Sequence, residues 1–332
     1  MSEENGEFVV RVENLKKHFP LRKGFFETLV TRQDITVKAV DGISFGVRKG
    51  EIVGLAGESG SGKTTTGRLL LRLTKPTEGS IFFDGKDIAK LGDSELRSLR
   101  RDMQIVFQDP FESLDPRMSI KEIVAEPVRV QKVAKNEEEV EERVKEALRD
   151  VELVPPEEFM MRFPHELSGG QRQRVAFARA FILGPKFVVA DEPVSMLDVS
   201  IRAEILNLMI DLVQKKGVSV VFITHDLAVS KHVCDRVAVM YLGKVMETAS
   251  SAKLIDLPLH PYTQALIAAV PVPDPAYRRA AVISGEIPSP VNPPSGCRFH
   301  TRCPFAHQRC ISEEPPLVEV EKEHFVACHL YT

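Results

Sequence analysis

A glycine-rich stretch early in the chain has the residue types and spacing of a loop that binds phosphate. This phosphate loop comprises Gly57, Glu58, Ser59, Gly60, Ser61, Gly62, Lys63 and Thr64. Glycines let successive backbone N–H groups point at a β-phosphate, and the N-terminus of a following helix adds a positive dipole end. Lys63 can bridge the β- and γ-phosphates, and the Thr64 hydroxyl can ligate Mg²⁺. The loop, with the adjacent Thr65, therefore predicts a site for a nucleoside triphosphate and Mg²⁺.

A second glycine-containing turn follows later in the chain. This signature turn consists of Leu167, Ser168, Gly169, Gly170 and Gln171. Two adjacent glycines allow close approach of the backbone to a ligand, and the serine and amide side chains can donate hydrogen bonds to phosphate. The turn predicts a second set of phosphate contacts.

A pair of carboxylates directly follows an apolar run at residues 187–190. Asp191 at the end of that run can hold Mg²⁺, directly or through water, and Glu192 can accept a proton from an attacking water. An acidic pair alone is a weak signal. The buried strand before it and Pro193 after it make the pair a strong candidate for hydrolytic chemistry.

Short apolar runs indicate the strands that position these residues. We expect strands over residues 8–12, 39–47, 51–55, 103–107, 187–190 and 218–223. The third strand runs into the phosphate loop, and the apolar spacing of residues 64–73 predicts the helix that a phosphate loop requires after it. Short runs bounded by polar residues are typical of buried parallel strands. The chain therefore reads as an α/β protein with one nucleotide domain.

Residues 109–166 have a different character and predict a helical insert. Asn136 is a candidate helix cap, with Glu139 three residues on. The apolar residues after it fall on one face of a helix: Val140, Val144, Leu148 and Val151. A second amphipathic helix is expected over residues 201–212. Residues 21–38 are polar and rich in Arg and Lys, and they predict a loop or an irregular hairpin.

Composition limits the classes of function. The chain has 332 residues, 43% of them hydrophobic, which is enough for one large domain, or for one domain with an appendage. A net charge of −3 gives no basic field, so we expect no nucleic-acid partner. The acidic start predicts no signal peptide, and no apolar run approaches the roughly 18–20 residues that span a bilayer. We therefore expect a cytosolic protein that reaches a membrane only through a partner.

The C-terminal segment combines prolines with cysteines. Twelve of the 22 prolines lie between residues 258 and 316, so we expect little regular structure there. Four of the 5 cysteines follow with five, six and seventeen intervening residues: Cys297, Cys303, Cys310 and Cys328. Thiolates suit iron–sulfur clusters and Zn²⁺, although the close pairs typical of zinc sites are absent. A cluster, a zinc site completed by a nearby histidine, and disulfides remain open from the spacing. Cys234 stands apart and fits a small buried residue.

Taken together, these motifs resemble the ATP-binding cassette (ABC) family, in the family's order. The further matching residues are Gln108 within 106–110, Ser195 to Asp198, His225 within 223–226, and Phe19 after 16–18. The resemblance implies a P-loop NTPase fold with an antiparallel β subdomain and a helical subdomain. Met196 departs from the family, which more often has alanine there, but Asp198 is in place.

The resemblance also implies a role for each matching residue. His225 would hold the γ-phosphate and orient the water, with Lys63 and Glu192 as its catalytic partners. Gln108 would sense Mg²⁺ and water and relay that state to a membrane subunit, while Asp191 and Thr64 hold the Mg²⁺. Phe19 would stack on adenine. The implied nucleotide contacts are Phe19, Gly57, Ser59, Gly60, Ser61, Gly62, Lys63, Thr64, Thr65, Ser168, Gly169, Gly170, Gln171 and Asp198.

The implied mechanism divides each active centre between two subunits. Ser168 and Gly170 would bind the γ-phosphate of ATP held by the opposite subunit, and Asp198 would make contacts across the interface. Phosphoryl transfer depends on placement and charge compensation, so a divided site couples hydrolysis to closure of the dimer.

The C-terminal segment resembles a narrower group, the ATP-binding subunits of oligopeptide/dipeptide importers. The matching stretches are residues 260–266, 285–290 and 293–300. The resemblance implies domains at 1–258 and 259–332 and a [4Fe–4S] centre on the four cysteines, with Zn²⁺ as the alternative. Its implied partners are a second ATP-binding subunit (a paralogue or a second copy), two permease subunits and, indirectly, an extracytoplasmic solute-binding protein. The chain would then lie at the cytoplasmic face of the membrane.

Two other functions compete with this one. A soluble ABC ATPase that acts on DNA or ribosomes usually has a long coiled-coil insert or two cassettes in one chain, and neither is present. The second is a regulatory module that holds ATP without hydrolysing it, and the presence of Lys63, Glu192 and His225 argues against it.

Overall fold

The computed structural model describes residues 7–21, 36–269 and 285–332. Two compact units are distinguished. The helical unit comprises Lys90–Ile223, Val47–Glu51 and the described residues up to Val9. The tail-bearing unit comprises the described parts of Val10–Gly46, with Ile52–Ala89 and Thr224–Thr332; residues 285–332 form its tail. Most of the predicted loop at 21–38 lies outside the described residues.

Twelve strands form within the described ranges. They are β1 Phe8–Pro20, β2 Thr36–Arg48, β3 Ile52–Ala56, β4 Glu78–Phe83, β5 Lys86–Asp87, β6 Met103–Val106, β7 Phe187–Asp191, β8 Ser219–Thr224, β9 Arg236–Tyr241, β10 Lys244–Ser250, β11 Val318–Glu321 and β12 His324–Val326. Each of the six predicted strands is present.

The same ranges contain twelve α-helices. They are α1 Lys63–Leu70, α2 Asp93–Leu99, α3 Pro110–Ser113, α4 Ile120–Val130, α5 Glu137–Asp150, α6 Pro156–Met160, α7 Gly169–Phe181, α8 Val199–Lys216, α9 Leu227–Val233, α10 Ser251–Asp256, α11 Pro261–Ala268 and α12 Gln308–Ser312. Single 3₁₀ turns occur at Pro164–Glu166 and His300–Arg302. None of the helices in the described part of the chain is long and apolar enough to cross a membrane.

In the helical unit, three parallel strands are arranged in the order β6-β7-β8. Phe187 pairs with Met103 on one side and with Ser219 on the other. All five residues of β7 are buried, as is typical of a strand in a parallel sheet that is covered on both faces. Helices α3 to α6 lie in the predicted insert. The Asn136 side chain caps α5 by accepting a hydrogen bond from Glu139 N at 2.9 Å, as expected.

The tail-bearing unit contains two sets of strands. An antiparallel set has the order β2-β1-β4-β5. In the second set β3 pairs in parallel with β9, and β9, β10, β12 and β11 then pair in antiparallel fashion. Parallel and antiparallel pairing in one chain confirms the predicted α/β class with an antiparallel part.

One expectation about element length needs correction. The predicted helix 64–73 begins at Lys63 and ends at Leu70, since Arg72 has a left-handed backbone (φ 51°) that an α-helix cannot contain. Most described residues between 258 and 316 lack regular secondary structure, as expected, and the exceptions are α11, α12 and the 3₁₀ turn at His300–Arg302. Pro261 occupies the first turn of α11, where its missing N–H costs no helical hydrogen bond.

Candidate functional site

The phosphate loop connects β3 to α1 in the tail-bearing unit, the context predicted for it. Two of its glycines are required by their surroundings. Gly57 (φ 145°) and Gly62 (φ 104°) have backbone conformations that other residues rarely adopt. A Cβ at either would lie 2.2 Å from a backbone oxygen, that of Met240 or of Ala39. The loop can therefore take this shape only with glycine at both positions.

Lys63 lies in the first turn of α1 and is 5% exposed. Its ammonium donates hydrogen bonds to Gly57 O at 2.7 Å and Glu58 O at 2.9 Å. The same ammonium is 3.4 Å from Ser61 Oγ. The charge is thus held inside the curve of the loop, and the first turn of α1 has no acidic side chain that would repel phosphate.

The other predicted nucleotide contacts of this unit lie within the phosphate loop, in the first turn of α1 and near the end of β1. Ser59 and Gly60 are exposed, and Thr64 and Thr65 are half-buried. Phe19 is near the end of β1 and 39% exposed, with Lys17 Nζ 4.8 Å from its ring centre. An exposed ring is not a core residue, so ordinary core packing does not explain Phe19.

His225 is exposed on the short turn before α9. The residues on either side hold that turn. Asp226 N donates to Thr224 Oγ1 at 3.0 Å, and the Asp226 carboxylate caps α9 by accepting from Ala228 N at 2.9 Å. This bracing fixes the backbone of His225 and leaves the imidazole at the surface.

In the helical unit, Asp191 and Glu192 occupy the end of β7. Asp191 is 5% exposed, whereas Glu192 is half-buried. Glu192 has a left-handed backbone (φ 46°), which costs a non-glycine residue about 1–2 kcal/mol. Its N–H donates to Ile223 O at 3.0 Å, and its carbonyl accepts from Ser195 Oγ at 3.0 Å. These bonds hold a strained residue next to a buried carboxylate, as is common at functional sites.

The signature turn forms the start of α7 in the same unit. Ser168 Oγ accepts from Gln171 N at 3.3 Å, and Gln171 Oε1 accepts from Ser168 N at 3.0 Å. This is a capping box, a structural role that the sequence analysis missed although the Ser-x-x-Gln spacing signals it. Ser168 remains exposed at this end of the 13-residue helix.

Gly170 has a packing role as well. A Cβ there would lie 2.8 Å from Ile201 Cγ2 of α8, while one on Gly169 would meet Leu197 Cδ2 at 3.4 Å. Neither glycine has a positive φ, so the need for a small residue comes from the close approach of α7 and α8. The adjacent glycines thus do allow a close approach, and inside the unit the groups that approach them are Ile201 and Leu197.

Two more predicted residues of the helical unit are exposed. Asp198 lies at the start of α8, and Gln108 follows β6. Arg202, which the sequence analysis did not single out, donates to Leu197 O at 2.8 Å and Ser195 O at 3.3 Å. It therefore fixes the loop that leads to Asp198, and no local motif signals that contact.

The cysteines of the tail partly match their prediction. Cys297, Cys310 and Cys328 are buried, and Cys303 is half-buried. Burial, followed by the three neighbouring thiols, raises the pKa of Cys297 to about 12, although the N–H of Phe299 lowers it. All are free thiols, so the disulfide alternative is not formed. No group of three or more His, Cys, Asp or Glu side chains in the described ranges has the geometry to hold a metal ion.

Two family models match the chain. The one described as ABC transporter matches residues 40–195, which include the phosphate loop, the signature turn and Glu192. The one described as Oligopeptide/dipeptide transporter, C-terminal region, matches residues 246–310, which include α11 and the start of the tail.

Curated relatives are similar to the chain along nearly its full length. The oligopeptide transport ATP-binding protein AppF of Bacillus subtilis is 49% identical over 336 residues, with 100% of both chains covered. A putative peptide import ATP-binding protein of Brucella ovis is 51% identical over 96% of this chain and 97% of its own.

Solved structures share the fold. A dimeric ATP-binding cassette in a post-hydrolysis state, bound to ADP and Pi, has a TM-score of 0.63 and 32% identity, covering 73% of this chain and 98% of its own. The cbiO1 protein of Clostridium perfringens, part of the ABC transporter complex cbiONQ, has a TM-score of 0.64 and 27% identity, covering 76% and 92%.

Proposed function

The chain belongs to the ABC transporter family and is an ATPase, and from this premise we propose that it hydrolyses ATP to power uptake of peptides through a membrane permease. The observation that carries the peptide assignment is the C-terminal region match at residues 246–310. It covers the part of the chain that a generic cassette does not need. The names of the similar relatives support the same solute class.

The proposed chemistry assigns each residue to one task. Lys63 neutralises charge on the β- and γ-phosphates, and Thr64 and Asp191 hold Mg²⁺, which when bound offsets the charge of the triphosphate. Glu192 accepts the proton of the attacking water, and His225 orients that water against the γ-phosphate. The burial of Lys63 and Asp191 and the strained backbone of Glu192 support these assignments.

Gln108, Ser168 and Asp198 are assigned to communication between subunits. We propose that ATP is bound between two ATP-binding subunits, where Ser168, Gly170 and Asp198 of one face the nucleotide of the other. All three positions lie at element ends, and Ser168 and Asp198 are exposed. The second subunit is a paralogue or another copy of this chain.

We propose that the chain works at the cytoplasmic face of the membrane, bound to two permease subunits. An extracytoplasmic binding protein delivers the peptide to those subunits. The helical unit exposes apolar side chains suited to such a partner. Those in and near the helical insert are Phe107, Val130, Val154, Met161 and Phe163. Gln108 directly follows Phe107, one of these exposed apolar residues. We propose the domain division 1–258 and 259–332 as part of the same assignment.

For the tail cysteines we propose a metal site, with a [4Fe–4S] cluster preferred over Zn²⁺. The burial of three of the thiols and the hydrogen bond from Cys297 N to Cys310 O at 2.8 Å support a compact group of thiols. Iron and sulfide analysis of anaerobically purified protein, together with broad absorbance near 400 nm, checks it. Stoichiometric zinc in colourless protein rejects the cluster, and metal-free protein rejects the site.

Transport by the reconstituted complex tests the proposed function. Vesicles that contain the permease, the binding protein and this subunit should accumulate a labelled oligopeptide only with ATP. A chain with Lys63→Ala should bind to the permease but leave the peptide outside. Recovery of the ATPase with ribosomes or DNA, and not with integral membrane proteins, would instead support the soluble alternative.

A further inference from the structure

Glu58, the second residue of the phosphate loop, is anchored through its side chain, its N–H and its carbonyl. Its carboxylate pairs with Arg302, its N–H donates to Tyr262 Oη at 2.9 Å, and its carbonyl accepts from Lys63 at 2.9 Å. Arg302 and Tyr262 are far along the chain in the tail and in α11. Nothing in the chemistry assigned above uses either of them.

The Arg302 contact has the geometry of a strong ion pair. Its Nη1 lies 2.8 Å from Glu58 Oε2, and its Nη2 lies 3.2 Å from Oε1. The arginine side chain is 6% exposed and that of Glu58 24% exposed. A two-pronged, largely desolvated pair fixes the carboxylate in direction as well as distance. Arg302 Nη1 also lies 3.3 Å from Tyr241 Oη, at the end of β9, so the guanidinium itself is held.

Tyr262 is equally well fixed. It is fully buried, and its ring packs on those of Tyr241 at 4.7 Å and Phe299 at 5.3 Å. Burial raises the pKa of Tyr262, so the phenol stays neutral, and a lone pair of its oxygen accepts the hydrogen bond from Glu58 N. The aromatic cluster thus forms a rigid support under one end of the loop.

We infer that Arg302 and Tyr262 are positioning residues that hold the phosphate loop in its ATP-binding shape, so that the tail and α11 together set nucleotide affinity. The inference rests on the proposed role of the loop. The glycines of the loop allow conformations other than the observed one, and a loop held in advance loses less entropy when ATP binds. Lys63 makes the link to chemistry, because its ammonium rests on the carbonyl of the anchored Glu58.

The same tail segment is linked, through Asp41 of β2, to the strand that carries Phe19. Arg298 Nη2 donates to Asp41 Oδ2 at 2.5 Å, and Asp41 Oδ1 lies 2.9 Å from His18 Nε2. His18 directly precedes Phe19, the predicted adenine contact. Arg302 therefore contacts the loop predicted to bind the phosphates. Arg298, four residues before it, contacts Asp41, whose partner His18 is next to the predicted adenine contact.

Equilibrium binding of MgATP to the full chain tests the inference. Arg302→Gln and Tyr262→Phe should each raise the dissociation constant by roughly tenfold, as expected when a charged or buried hydrogen bond is lost. Arg302→Lys, which keeps the charge but loses the fork, should recover only part of that loss. In the assembled ATPase, KM for ATP should rise while kcat at saturating ATP stays within about twofold.

Arg309→Gln is the matched control. Arg309 is in the same tail and pairs with Glu313 at 2.9 Å, but it makes no contact with the loop. It should lower thermal stability no more than Arg302→Gln does and leave ATP affinity unchanged. If Arg302→Gln does not fold, Tyr262→Phe and Arg302→Lys decide the question.

Wild-type affinity in both Tyr262→Phe and Arg302→Lys would overturn the inference, as would an equal loss in Arg309→Gln. Wild-type chain that neither binds nor hydrolyses ATP would instead reject the proposed function itself.

Discussion

Glu192 has a left-handed backbone directly after the last residue of a β-strand. Its neighbour Asp191 continues the extended backbone of β7, whereas Glu192 has φ of 46°. Consecutive side chains of a strand point to opposite faces of the sheet, and the left-handed backbone of Glu192 ends that alternation directly after Asp191. The hydrogen bond from Glu192 N to Ile223 O at 3.0 Å offsets part of the cost.

Replacing the general base should stop the reaction without preventing ATP binding. We expect Glu192→Gln to lower kcat by roughly 10²- to 10⁴-fold, the usual contribution of a general base, with the dissociation constant for ATP nearly unchanged. Single-turnover hydrolysis and equilibrium binding measure the two effects. Glu204→Gln, on the exposed face of α8, is the control. Normal turnover by the Glu192→Gln chain would reject the assignment.

At the scale of elements, the crossing of α7 and α8 depends on Gly170. A methyl group there would lie 2.8 Å from Ile201 Cγ2, which is attached to the stiff Cβ of isoleucine and cannot turn away cheaply. We expect Gly170→Ala to lower the free energy of unfolding by about 1–3 kcal/mol, the usual cost of overpacking. Chemical denaturation measures it.

A second substitution separates packing from nucleotide chemistry at the same glycine. Ile201→Ala added to Gly170→Ala should restore most of the lost stability. If Gly170 acts only in packing, ATPase activity returns with stability. Activity that stays low in the stable double variant indicates that the glycine also contacts ATP, as proposed.

Helix α11 should make the stability of the chain sensitive to acid. His260 is 1% exposed and caps this helix by accepting from Tyr262 N at 3.0 Å. Burial lowers the pKa of His260 to about 3, despite a backbone hydrogen bond with Ala327 that raises it. The unfolded chain binds the proton near pH 6.5, so stability is complete above that pH and is lost as the pH falls towards 3.

His260→Asn should remove this sensitivity and keep a capping oxygen. Relative to its own value at pH 7, the wild-type chain should lose roughly 2 kcal/mol more than the variant at pH 5. Urea unfolding of both chains at the two pH values gives the difference, since the other titrating groups are common to both. If stability falls with pH equally in both chains, His260 takes up its proton in the folded chain as in the unfolded one, and the prediction is wrong.

The elements were more predictable than the contacts between them. Apolar runs and the Asn136 cap located α5 and six of the twelve strands of the described ranges, because these depend on residues near one another in sequence. The limit of α1 was not predictable, since Arg72 adopts a left-handed backbone without a glycine to signal it. The Gly170 contact with Ile201 requires the crossing of two helices, which no local pattern describes.

The candidate site divides in the same way. The residues of the phosphate loop and the signature turn were predicted from residue types and spacing, and the carboxylate pair from the apolar strand before it and Pro193 after it. Arg202, Arg302 and Tyr262 were given no role from the sequence. Arg202 contacts the loop just before it, whereas Arg302 and Tyr262 contact Glu58, which is far earlier in the chain. Tyr262 lies in the matching stretch 260–266, but that match does not show which residue it contacts.

At the scale of the whole molecule, the central expectation is pairing of subunits by ATP. With MgATP, the Glu192→Gln chain, alone or with its paralogue, should elute at close to twice the 37.1 kDa of one chain. Trapping of unhydrolysed ATP at the shared interface is the physical reason. Light scattering during size exclusion measures the mass. A wild-type chain that hydrolyses ATP at full rate as a monomer would contradict the divided site.

The ion pair between Glu58 and Arg302 joins positions 244 residues apart, and it therefore constrains inheritance. Replacing Glu58 alone during evolution would leave the buried guanidinium of Arg302 without its carboxylate. A gene that acquired the tail of a paralogue would need to acquire the matching phosphate loop as well. Descendants should thus keep both members or lose both, and hybrid subunits spliced between α1 and the tail should work only when the two parents agree at these positions.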